Sequence, residues 1–463
     1  MVKLFGHPVP RALQSLFIAE VVLLIAGIQL GAVVRLSVAG LDPWSMADSY
    51  GAIATFVITC SVSMVAFGLY ERACCRDLRQ SALRLFVALI SALAVMAVVF
   101  YFLPELQIWR SISVYSIGVA YVLLLIGRLV FIKVADLDRF KRPVLVLGTG
   151  DRAAQLGAMT EEDAGHSYRI VNYVRMSQEP PCVENYVNMC EWPDLLAVAN
   201  ASGAQEVVLA MRERRGGLPI RDLLKCRMAG MRVLDLPAFL EQETGRVDLE
   251  SMQPSWLVFS DGFGMSQGIN RVLKRIFDIV ASLILILFSI WILIPTAILI
   301  KLTSPGPIFY RQERVGENGE VYRLFKFRSM RNDAEKDGVP QWAKEADPRV
   351  TGIGKIIRAT RIDEIPQILN VLSGEMSFVG PRPERPFFVE QLSEEIPYYE
   401  ERHIVKPGIT GWAQINYPYG ASTDDARKKL EYDLYYVKNF SVLLDLAILV
   451  QTVKVVVWQN GVR

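Results

Sequence analysis

The chain has very few histidines and no cysteine spacing typical of a metal site. His7, His166 and His403 lie far apart in 463 residues, so neither a histidine-rich metal centre nor a Ser–His–Asp arrangement is the first expectation. The six cysteines, none of which lies beyond Cys226, are interpreted as reduced thiols. Any catalysis is therefore expected to depend on carboxylates.

A large net charge of one sign is also missing. Fifty lysine and arginine residues balance 48 aspartate and glutamate residues, for a formal net charge of +2, so no global field indicates a nucleic-acid partner. Hydrophobic residues make up 52% of the chain and the mean hydropathy is +0.28. Part of the chain is therefore expected to lie in lipid, and its length allows two or three domains.

Four apolar segments in the first third of the chain are long enough to cross a bilayer. A transmembrane helix needs roughly 20 apolar residues, and segments near that length span residues 13–34, 51–70, 85–103 and 112–135. The loops rich in lysine and arginine fall on one side, which the positive-inside rule assigns to the cytoplasm. A four-helix transmembrane domain is predicted over residues 1–138. Glu20 and Arg128 lie within these segments, where pairing between helices or snorkelling is favoured and a functional role is the alternative.

Residues 139–265 show the alternation of strands and helices that is typical of a small α/β domain. Strands are predicted at residues 144–147, 169–174, 206–210 and 231–236. The first strand leads into a G-x-G-x-x-A turn from Gly148 to Ala153, a dinucleotide-binding pattern of Rossmann type. Arg175 follows the second strand, where an acid would be needed to bind a ribose. A structural or regulatory Rossmann-like domain is therefore favoured, and a bound dinucleotide is the alternative.

A fifth hydrophobic segment, residues 279–300, contains no charged residue and is long enough to cross the membrane. Basic residues flank it on both sides, so both of its ends are expected in the cytoplasm. Pro295 interrupts the segment, and a proline removes a backbone donor and kinks a helix. The sequence predicts a re-entrant hairpin over residues 274–301 with its kink at Pro295.

Two basic side chains are predicted to share one face of a strand that follows the hairpin. Residues 321–328 alternate with period two, which places Lys326 and Arg328 on the same face. Such a pair suits a phosphate group, and a solvated basic edge is the alternative.

An acidic pair, Asp363 and Glu364, lies at the predicted start of a helix. Apolar residues with helical spacing follow, and Pro366 fits a first turn, so the helix is predicted to begin at Asp363. The helix N-terminus, with Arg358 and Arg361 nearby, would keep the Asp363 carboxylate ionised as a nucleophile or metal ligand. An ordinary acidic helix cap is the alternative.

A third basic group follows a short strand predicted at residues 376–380. Pro381 and Pro383 enclose Arg382 and restrict its backbone to extended geometry, which suits a bidentate phosphate contact. Further on, a strand is predicted to carry Gln414 and Asn416 on one face, and a core loop fixed by its glycines is the alternative.

Six ordered motifs in this part of the chain resemble one family. They are KRIFD (274–278), TSPGP (303–307), FKFRSM (325–330), DEIPQ (363–367), SFVGPRP (377–383) and KPGITGW (406–412). The chain from residue 270 onward resembles the bacterial sugar transferases, the monotopic polyprenyl phosphoglycosyltransferases, and the domains before it resemble the large subclass of that family. A phosphoglycosyltransferase catalytic domain is therefore expected over residues 266–463.

The resemblance implies transfer of a sugar phosphate from a UDP-sugar to undecaprenyl phosphate, with release of UMP. This reaction would be the first membrane step in assembling exopolysaccharide, O-antigen or capsule repeat units. It implies a covalent phosphosugar intermediate on Asp363, with Mg²⁺ near Asp363 and Glu364 and the role of Glu364, in metal binding or proton transfer, left open. The candidate phosphate contacts are Lys326, Arg328, Arg358, Arg361 and Arg382, and the candidate nucleotide or sugar contacts are Pro381, Gln414 and Asn416.

The expected fold is membrane α plus α/β. It comprises a four-helix transmembrane bundle, a Rossmann-like cytoplasmic domain and an α/β catalytic domain with a re-entrant membrane helix. The resemblance places the chain in the bacterial inner membrane, in contact with lipid and with its catalytic domain in the cytoplasm, and it implies a homodimer.

Two other functions fit parts of the sequence. Tyr322 and Lys326 have the Tyr-x-x-x-Lys spacing of nucleotide-sugar dehydratases and epimerases, but a strand would hold them roughly 13 Å apart. A non-catalytic scaffold for polysaccharide synthesis would be favoured by loss of the acidic pair, yet Asp363 and Glu364 are both present. The sequence does not specify the sugar, because a few hydrogen bonds in a pocket decide it.

Overall fold

The computed structural model describes most of the chain. The described residues are 3–4, 7–8, 11–41, 49–70, 74, 78–134, 141–162, 167–176, 180–212, 218–250, 252, 267–331, 349–418, 420 and 422–458. They belong to two compact units, Met1–Thr244 and Gly245–Arg463. The first unit contains an apolar helical bundle and a parallel sheet, and the second contains a long apolar helix and a mixed α/β domain.

The described residues of the first unit include four apolar helices. After a short antiparallel pair, β1 (Lys3–Leu4) and β2 (His7–Pro8), come α1 (Arg11–Val38), α2 (Tyr50–Ala66), α3 (Leu78–Phe102) and α4 (Arg110–Val134). Exposed apolar side chains such as Ile18, Val62 and Ile90 are typical of helices surrounded by lipid. The four predicted apolar helices are confirmed. Helix α2, with 17 residues and a length of about 25 Å, is shorter than predicted.

Helices α1 and α4 approach each other closely because small residues face each other where they cross. A methyl group added at Gly27 would lie 2.8 Å from the Cβ atom of Ala120, and one at Gly31 would overlap Ser116. The Ser116 hydroxyl also donates to the carbonyl of Ile28 at 3.3 Å. Small residues at such crossings permit the close backbone packing that stabilises helices in lipid.

A buried ion pair joins the helices of the bundle. The guanidinium of Arg128 in α4 lies 2.7 Å from the carboxylate of Glu20 in α1, and both side chains are almost completely buried. Arg128 also donates to the carbonyl of Leu69, just after α2, and to the hydroxyl of Ser81 in α3. The helix pairing predicted for Glu20 and Arg128 is confirmed.

A five-stranded parallel sheet follows the bundle. Its strands are β3 (Arg142–Leu147), β4 (Tyr168–Arg175), β5 (Tyr186–Asn188), β6 (Glu206–Leu209) and β7 (Arg232–Asp235), in the spatial order β5–β4–β3–β6–β7. Among the described residues, four helices accompany them: α5 (Asp151–Glu162), α6 (Leu195–Ala201), α7 (Ile220–Met228) and α8 (Leu236–Thr244). The predicted strands are confirmed to within two residues, and β5 is an addition that the sequence pattern did not indicate.

Alternation along β3 builds a core on each face of the sheet. Leu145 and Leu147 pack with side chains of α6 and α7, whereas Val144 and Val146 pack with side chains of α5 and α8. Successive side chains of a strand point to opposite faces, so a central parallel strand with helices on both sides is apolar throughout.

The turn after β3 has the geometry that its first glycine indicates. Gly148 has a φ of +121°, and a methyl group there would lie 3.0 Å from the backbone of Ala210, just after β6. At the end of β4, the guanidinium of Arg175 lies over the Tyr186 ring, 5.7 Å from its centroid. The Rossmann-like assignment and a bound dinucleotide stay predictions.

The described residues of the second unit include helix α9 (Gln267–Thr303) and an antiparallel hairpin of β8 (Phe309–Val315) and β9 (Val321–Phe327). Helix α10 (Gly352–Ala359), the 3₁₀ helix Ile362–Gln367 and helix α11 (Ile368–Ser373) come next. Strands β10 (Ser377–Val379) and β11 (Gly408–Thr410) form a parallel pair. The other helices are α12 (Pro386–Glu395), the 3₁₀ helix Tyr399–Ile404, α13 (Trp412–Asn416), α14 (Thr423–Asn439) and α15 (Val442–Trp458).

Helix α9 carries the fifth apolar segment. It stays helical through Pro295, so the reversal predicted at that residue is not a loop between two helices. Any change of direction there would be a bend within one helix, as proline commonly produces. By length and hydropathy alone, residues 271–303 are sufficient to cross a membrane.

Both ends of α9 are anchored in the second unit. Near its start, the buried Lys274 ammonium donates to the Val379 carbonyl at 2.9 Å and to Asp445 at 2.5 Å. Near its end, Ile300 packs with Phe327 of β9 and Ile357 of α10. The middle of the helix, by contrast, exposes large apolar side chains, including Leu287, Trp291 and Ile294.

The Gly27→Ala variant is expected to destabilise the helical bundle. Its added methyl group meets Ala120 at 2.8 Å, and overpacking of this kind costs about 1–3 kcal/mol. Gly118→Ala in α4 is the matched control, because a methyl group there meets no atom within 4 Å. Thermal unfolding in detergent micelles would compare the two variants, and equal midpoints would contradict the close packing of α1 and α4.

Candidate active site

The acidic pair lies on a tight turn between α10 and α11. Helix α10 ends at Ala359, and Arg361 adopts the left-handed backbone conformation with a φ of +58°. The 3₁₀ helix that follows carries Asp363 and Glu364 inward, so that only 8% and 9% of their surfaces are exposed. A non-glycine residue in this conformation costs about 1–2 kcal/mol, so the surrounding contacts must hold the turn in place.

The prediction that a helix begins with Asp363 as its cap is wrong. The 3₁₀ helix begins at Ile362, its capping residue is Arg361, and no side chain makes a capping hydrogen bond. Helix α11 starts only at Ile368. Asp363 therefore lies inside the turn, and its environment comes from the side chains around it rather than from a capping position.

Three basic side chains lie close to the carboxylate of Glu364. Its Oε1 atom lies 3.2 Å from Lys326, 3.2 Å from Arg382 and 3.8 Å from Arg361. Burial alone would raise the pKa of Glu364, but these cations outweigh burial and lower the pKa to about 2. Glu364 is therefore an anion at neutral pH and offsets part of the surrounding positive charge.

Asp363 has a different environment from its neighbour. Its Oδ1 atom is buried and has no hydrogen-bond partner among the residues that the structure describes. Burial, and then the adjacent charge of Glu364, raise the pKa of Asp363, whereas Lys326, Arg358 and Arg361 act in the opposite direction. The result is a carboxylate that lies close to cations but retains an oxygen without a hydrogen-bond partner among the described residues.

Strand β9 holds Lys326 against the acidic turn, and Asn370 of α11 holds the strand. The Asn370 side chain accepts from the Phe325 N–H at 3.0 Å and donates to the Arg323 carbonyl at 2.8 Å. Burial lowers the pKa of Lys326, while Glu364 acts against that shift. The sequence analysis missed Asn370, although an amide among the apolar residues of a predicted helix was an available signal.

The position of Tyr322 and Lys326 on β9 bears on the dehydratase alternative. Both residues lie on the strand, four residues apart, rather than on one turn of a helix. That separation is roughly 13 Å along a strand. The geometry therefore does not support the Tyr–Lys pair of a nucleotide-sugar dehydratase or epimerase.

Arg382 extends from the segment that follows β10. Strand β10 pairs with β11, and the Gly408 N–H donates to the Pro381 carbonyl at 2.9 Å, so the segment lies against the start of β11. The Arg382 guanidinium donates to Glu364 at 3.2 Å, and 35% of the side chain is exposed. It can therefore contact both the acidic pair and an anion that approaches from solvent.

Arg328, a predicted phosphate contact, is directed elsewhere. Strand β9 ends at Phe327, so the period-two pattern does not extend to Arg328. Its buried guanidinium donates to the carbonyls of Ser304 and Pro305 at the end of α9. Arg328 therefore supports the junction between α9 and the hairpin. The prediction that it shares a strand face with Lys326 is wrong, and its contact with a phosphate stays a prediction.

Gln414 and Asn416 do not lie on a strand as predicted. They belong to the short helix α13, and their side-chain amides donate within the same segment, to the carbonyls of Ile409 and Trp412. The strand of this segment is β11, which ends at Thr410. Their proposed contact with a nucleotide or sugar stays a prediction.

The two carboxylates are not equivalent as ligands for a divalent cation. No group of three or more histidine, cysteine, aspartate or glutamate side chains suits a metal in the described part of the chain. Magnesium, however, is usually held by one or two carboxylates together with substrate phosphates. The Oδ1 atom of Asp363 suits that role, whereas Glu364 is already surrounded by cations. The donor set fits a magnesium ion on Asp363 better than one on Glu364.

Known proteins share much of this chain. Residues 269–459 match the family model described as bacterial sugar transferase. The chain is 44% identical over 243 residues to a UDP-N-acetylgalactosamine-undecaprenyl-phosphate N-acetylgalactosaminephosphotransferase of Aeromonas hydrophila, covering 52% of this chain and 56% of the relative. It is 33% identical over 323 residues to an undecaprenyl-phosphate glucose phosphotransferase of Komagataeibacter xylinus, covering 68% of this chain and 59% of the relative.

A shorter relative matches along almost its whole length. The exopolysaccharide production protein PSS of Rhizobium leguminosarum bv. phaseoli is 45% identical over 193 residues, which cover 40% of this chain and 94% of that protein. The fold and the site define a membrane-associated α plus α/β protein with a buried acidic pair that faces basic side chains. With these matches, the chain belongs to the bacterial sugar transferase family. It spans 56% and 59% of the length of the Aeromonas and Komagataeibacter relatives.

Replacing Glu364 with glutamine is expected to lower the pKa of Asp363. Burial is the first cause of the raised value, and the charge of Glu364 is the second. Lys326→Met should have the opposite effect, because Lys326 lowers this pKa. Glu317→Gln, at a surface pair with Arg271, is the control. Carbon-13 NMR titration of protein with labelled aspartate would measure the shift, and an increased pKa in Glu364→Gln would contradict the arrangement.

Proposed function

We propose that the protein transfers a sugar phosphate from a UDP-sugar to undecaprenyl phosphate, producing an undecaprenyl diphosphate sugar and UMP. The main observation that supports the proposal is the buried carboxylate of Asp363. It lies next to Glu364, whose carboxylate contacts the cations Lys326 and Arg382. The Aeromonas and Komagataeibacter relatives are named as undecaprenyl-phosphate phosphotransferases, one for N-acetylgalactosamine and the other for glucose. Because these names differ in the sugar, the proposal leaves the sugar unspecified.

In the first proposed step, an oxygen of Asp363 attacks the phosphorus atom that bears the sugar. An O–P bond forms to the carboxylate, and the bond between that phosphorus and the oxygen bridging to UMP breaks. UMP leaves with the bridging oxygen, and the sugar phosphate stays on Asp363 as an acyl phosphate. A phosphate oxygen is a stable anion, so the leaving group needs no proton from the protein.

Positive charge is needed for this step because the phosphoryl group and the carboxylate are both anionic. Cations that surround the reacting atoms reduce the repulsion, and they act most strongly where water is excluded. Lys326 and Arg382 contact Glu364 at the edge of the site, and the charges of Arg358 and Arg361 act on Asp363. These four side chains are the proposed phosphate contacts.

In the second proposed step, a phosphate oxygen of undecaprenyl phosphate attacks the same phosphorus. The bond to Asp363 breaks, which restores the carboxylate and releases the undecaprenyl diphosphate sugar. Donor and acceptor therefore use the site in turn, as in other enzymes that form a covalent intermediate.

Magnesium is the proposed cofactor. Asp363 and the phosphate oxygens of the substrate would hold it, and when bound it would supply further positive charge at the phosphoryl group. Glu364 is proposed to act as the counter-ion of Lys326 and Arg382 rather than as the main metal ligand, because its carboxylate is already occupied by them.

Helix α9 is proposed to enter the membrane and return to the same side. Both of its ends contact other elements of the second unit, which also contains the acidic pair: Lys274 contacts Val379 at one end, and Ile300 packs with Phe327 and Ile357 at the other. Basic residues flank the apolar segment 279–300 of the helix on both sides, which supports a cytoplasmic location for both ends of that segment. The exposed apolar middle of the helix would lie in lipid, with its bend near Pro295.

The rest of the chain supports an inner-membrane protein. The four apolar helices of the first unit are proposed to cross or enter the bacterial inner membrane, with the basic loops in the cytoplasm. The strand order of the parallel sheet supports a Rossmann-like domain. A homodimer is part of the same proposal.

Asp363→Asn is expected to abolish UMP release from every UDP-sugar that the native protein uses. An amide is a much weaker nucleophile than a carboxylate, so turnover should fall by at least about 10³-fold. Asp424→Asn, at an exposed position of α14, is the matched control and should retain full turnover. Mass spectrometry of native protein after incubation with UDP-sugar alone should find the phosphosugar adduct on Asp363. Unchanged turnover in Asp363→Asn would exclude this residue as the nucleophile.

The topology of α9 can be tested with single cysteines in a cysteine-free background. Leu273→Cys and Arg311→Cys place exposed thiols on either side of the apolar segment 279–300 of α9. An impermeant maleimide should label both positions only when it reaches the cytoplasmic face of inverted vesicles. Labelling of the two positions from opposite faces would show that α9 crosses the membrane.

A further inference from the structure

A buried ion pair lies behind Arg382 and takes no part in the proposed reaction. Arg402, in the 3₁₀ helix Tyr399–Ile404, is 5% exposed, and its partner Asp433 in α14 is 1% exposed. The Nη2 atom of Arg402 donates to Asp433 at 2.7 Å and to the backbone carbonyl of Arg382 at 3.0 Å. The Nη1 atom donates to the Tyr399 hydroxyl at 2.7 Å. One guanidinium therefore connects the interior of the unit to the segment that presents Arg382.

Each carbonyl of the segment 381–383 accepts a hydrogen bond. The Pro381 carbonyl accepts from the Gly408 N–H at 2.9 Å, the Arg382 carbonyl accepts from Arg402, and the Pro383 carbonyl accepts from Arg314 at 3.0 Å. The prolines fix φ on both sides, and these bonds orient the peptide planes between them. The direction in which the Arg382 side chain leaves the backbone is thereby set.

A buried ion pair at this place is not explained by stability alone. Removing two charges from water carries a large cost, and apolar side chains of similar volume often stabilise a core equally well. Apolar side chains could not donate a hydrogen bond to the Arg382 carbonyl. Tyr399 and Asp433 keep the pKa of Arg402 above its usual range although burial acts against it, so the donor stays charged at every pH of interest.

We infer that Arg402 and Asp433 are positioning residues that orient the backbone of Arg382, and so place its guanidinium on the phosphate of the sugar donor. The inference rests on the proposed function, in which Arg382 is a phosphate contact. Asp433 fixes Arg402, Arg402 fixes the Arg382 carbonyl, and Arg382 reaches Glu364 and the substrate.

Arg402→Lys is the main test. A lysine can keep the ion pair with Asp433, but its single ammonium cannot reproduce the fork that also bonds Tyr399 and the Arg382 carbonyl. A misplacement of about 1 Å at a catalytic contact reduces turnover by about 10- to 100-fold. We expect a loss of that size in kcat for UMP release with little change in KM. Arg246→Lys is the matched control, since Arg246 forms an ion pair at 3.2 Å with Glu431, which lies on α14 like Asp433. This variant should retain kcat.

A double-mutant cycle separates positioning from general support of the fold. If Arg402 acts through Arg382, the loss caused by Arg402→Lys should largely disappear in an Arg382→Lys background. Losses that multiply in the double variant would overturn the inference. If Arg402→Lys fails to reach the membrane, Asp433→Asn can replace it in the same double-mutant cycle. Thermal unfolding of each variant would reveal a general loss of structure.

A second measurement does not depend on turnover. Phenylglyoxal modifies accessible arginines, and peptide mass spectrometry gives the rate at Arg382. Arg402→Lys should increase that rate, because Arg382 would no longer be held beside Glu364, whereas Arg246→Lys should leave it unchanged. An unchanged rate in Arg402→Lys would overturn the inference. Absence of UMP release from the native protein with all UDP-sugars would instead contradict the proposed function.

Discussion

Glu364 is the anion that allows basic side chains from three separate segments to share one small volume. Lys326 comes from β9, Arg382 follows β10, and Arg361 precedes the acidic turn. Like charges repel each other, and the repulsion grows where burial removes the screening by water. Because the pKa of Glu364 is about 2, its charge persists at neutral pH and offsets that repulsion. The positive charge that remains is what an incoming diphosphate would meet.

On the same turn, the pKa of the neighbouring Asp363 is shifted in the opposite direction. Burial and the charge of Glu364 raise the pKa of Asp363, and the cations offset only part of this. A less stabilised carboxylate is a stronger base and a better nucleophile. Arg361, in the left-handed conformation, directly precedes the 3₁₀ helix in which both consecutive acids are buried. The proposed difference in role between the two adjacent carboxylates thus depends on which of them the cations contact.

Local sequence patterns predicted most of the helices and strands. The features that these patterns missed depend on contacts between residues that are distant in the sequence. The apolar helices and the strands around Val144 and Ser377 could be predicted from the length of apolar segments and the spacing of apolar residues, because both are properties of residues close together in the sequence. Asp363 was expected to cap a helix, but it lies inside a 3₁₀ helix, and its environment includes Lys326 from the distant strand β9. Arg402 and Asp433 are 31 residues apart in sequence, so their pairing leaves no periodic signal. The sequence could therefore name the acidic pair and Arg382 but not what holds them.

Contacts of the apolar helix α9 connect its position to that of Arg382. The Lys274 ammonium donates to the Val379 carbonyl, and the Tyr436 hydroxyl donates to the same carbonyl at 3.0 Å. Val379 is the last residue of β10, three residues before Arg382. A buried lysine is tolerated here because Asp445 compensates its charge. The strand that precedes Arg382, a proposed phosphate contact, is therefore fixed to the helix that is proposed to enter the lipid. The proposed reaction, whose acceptor is a lipid phosphate, would use this arrangement, since such an acceptor can approach only at the depth where the bilayer holds it.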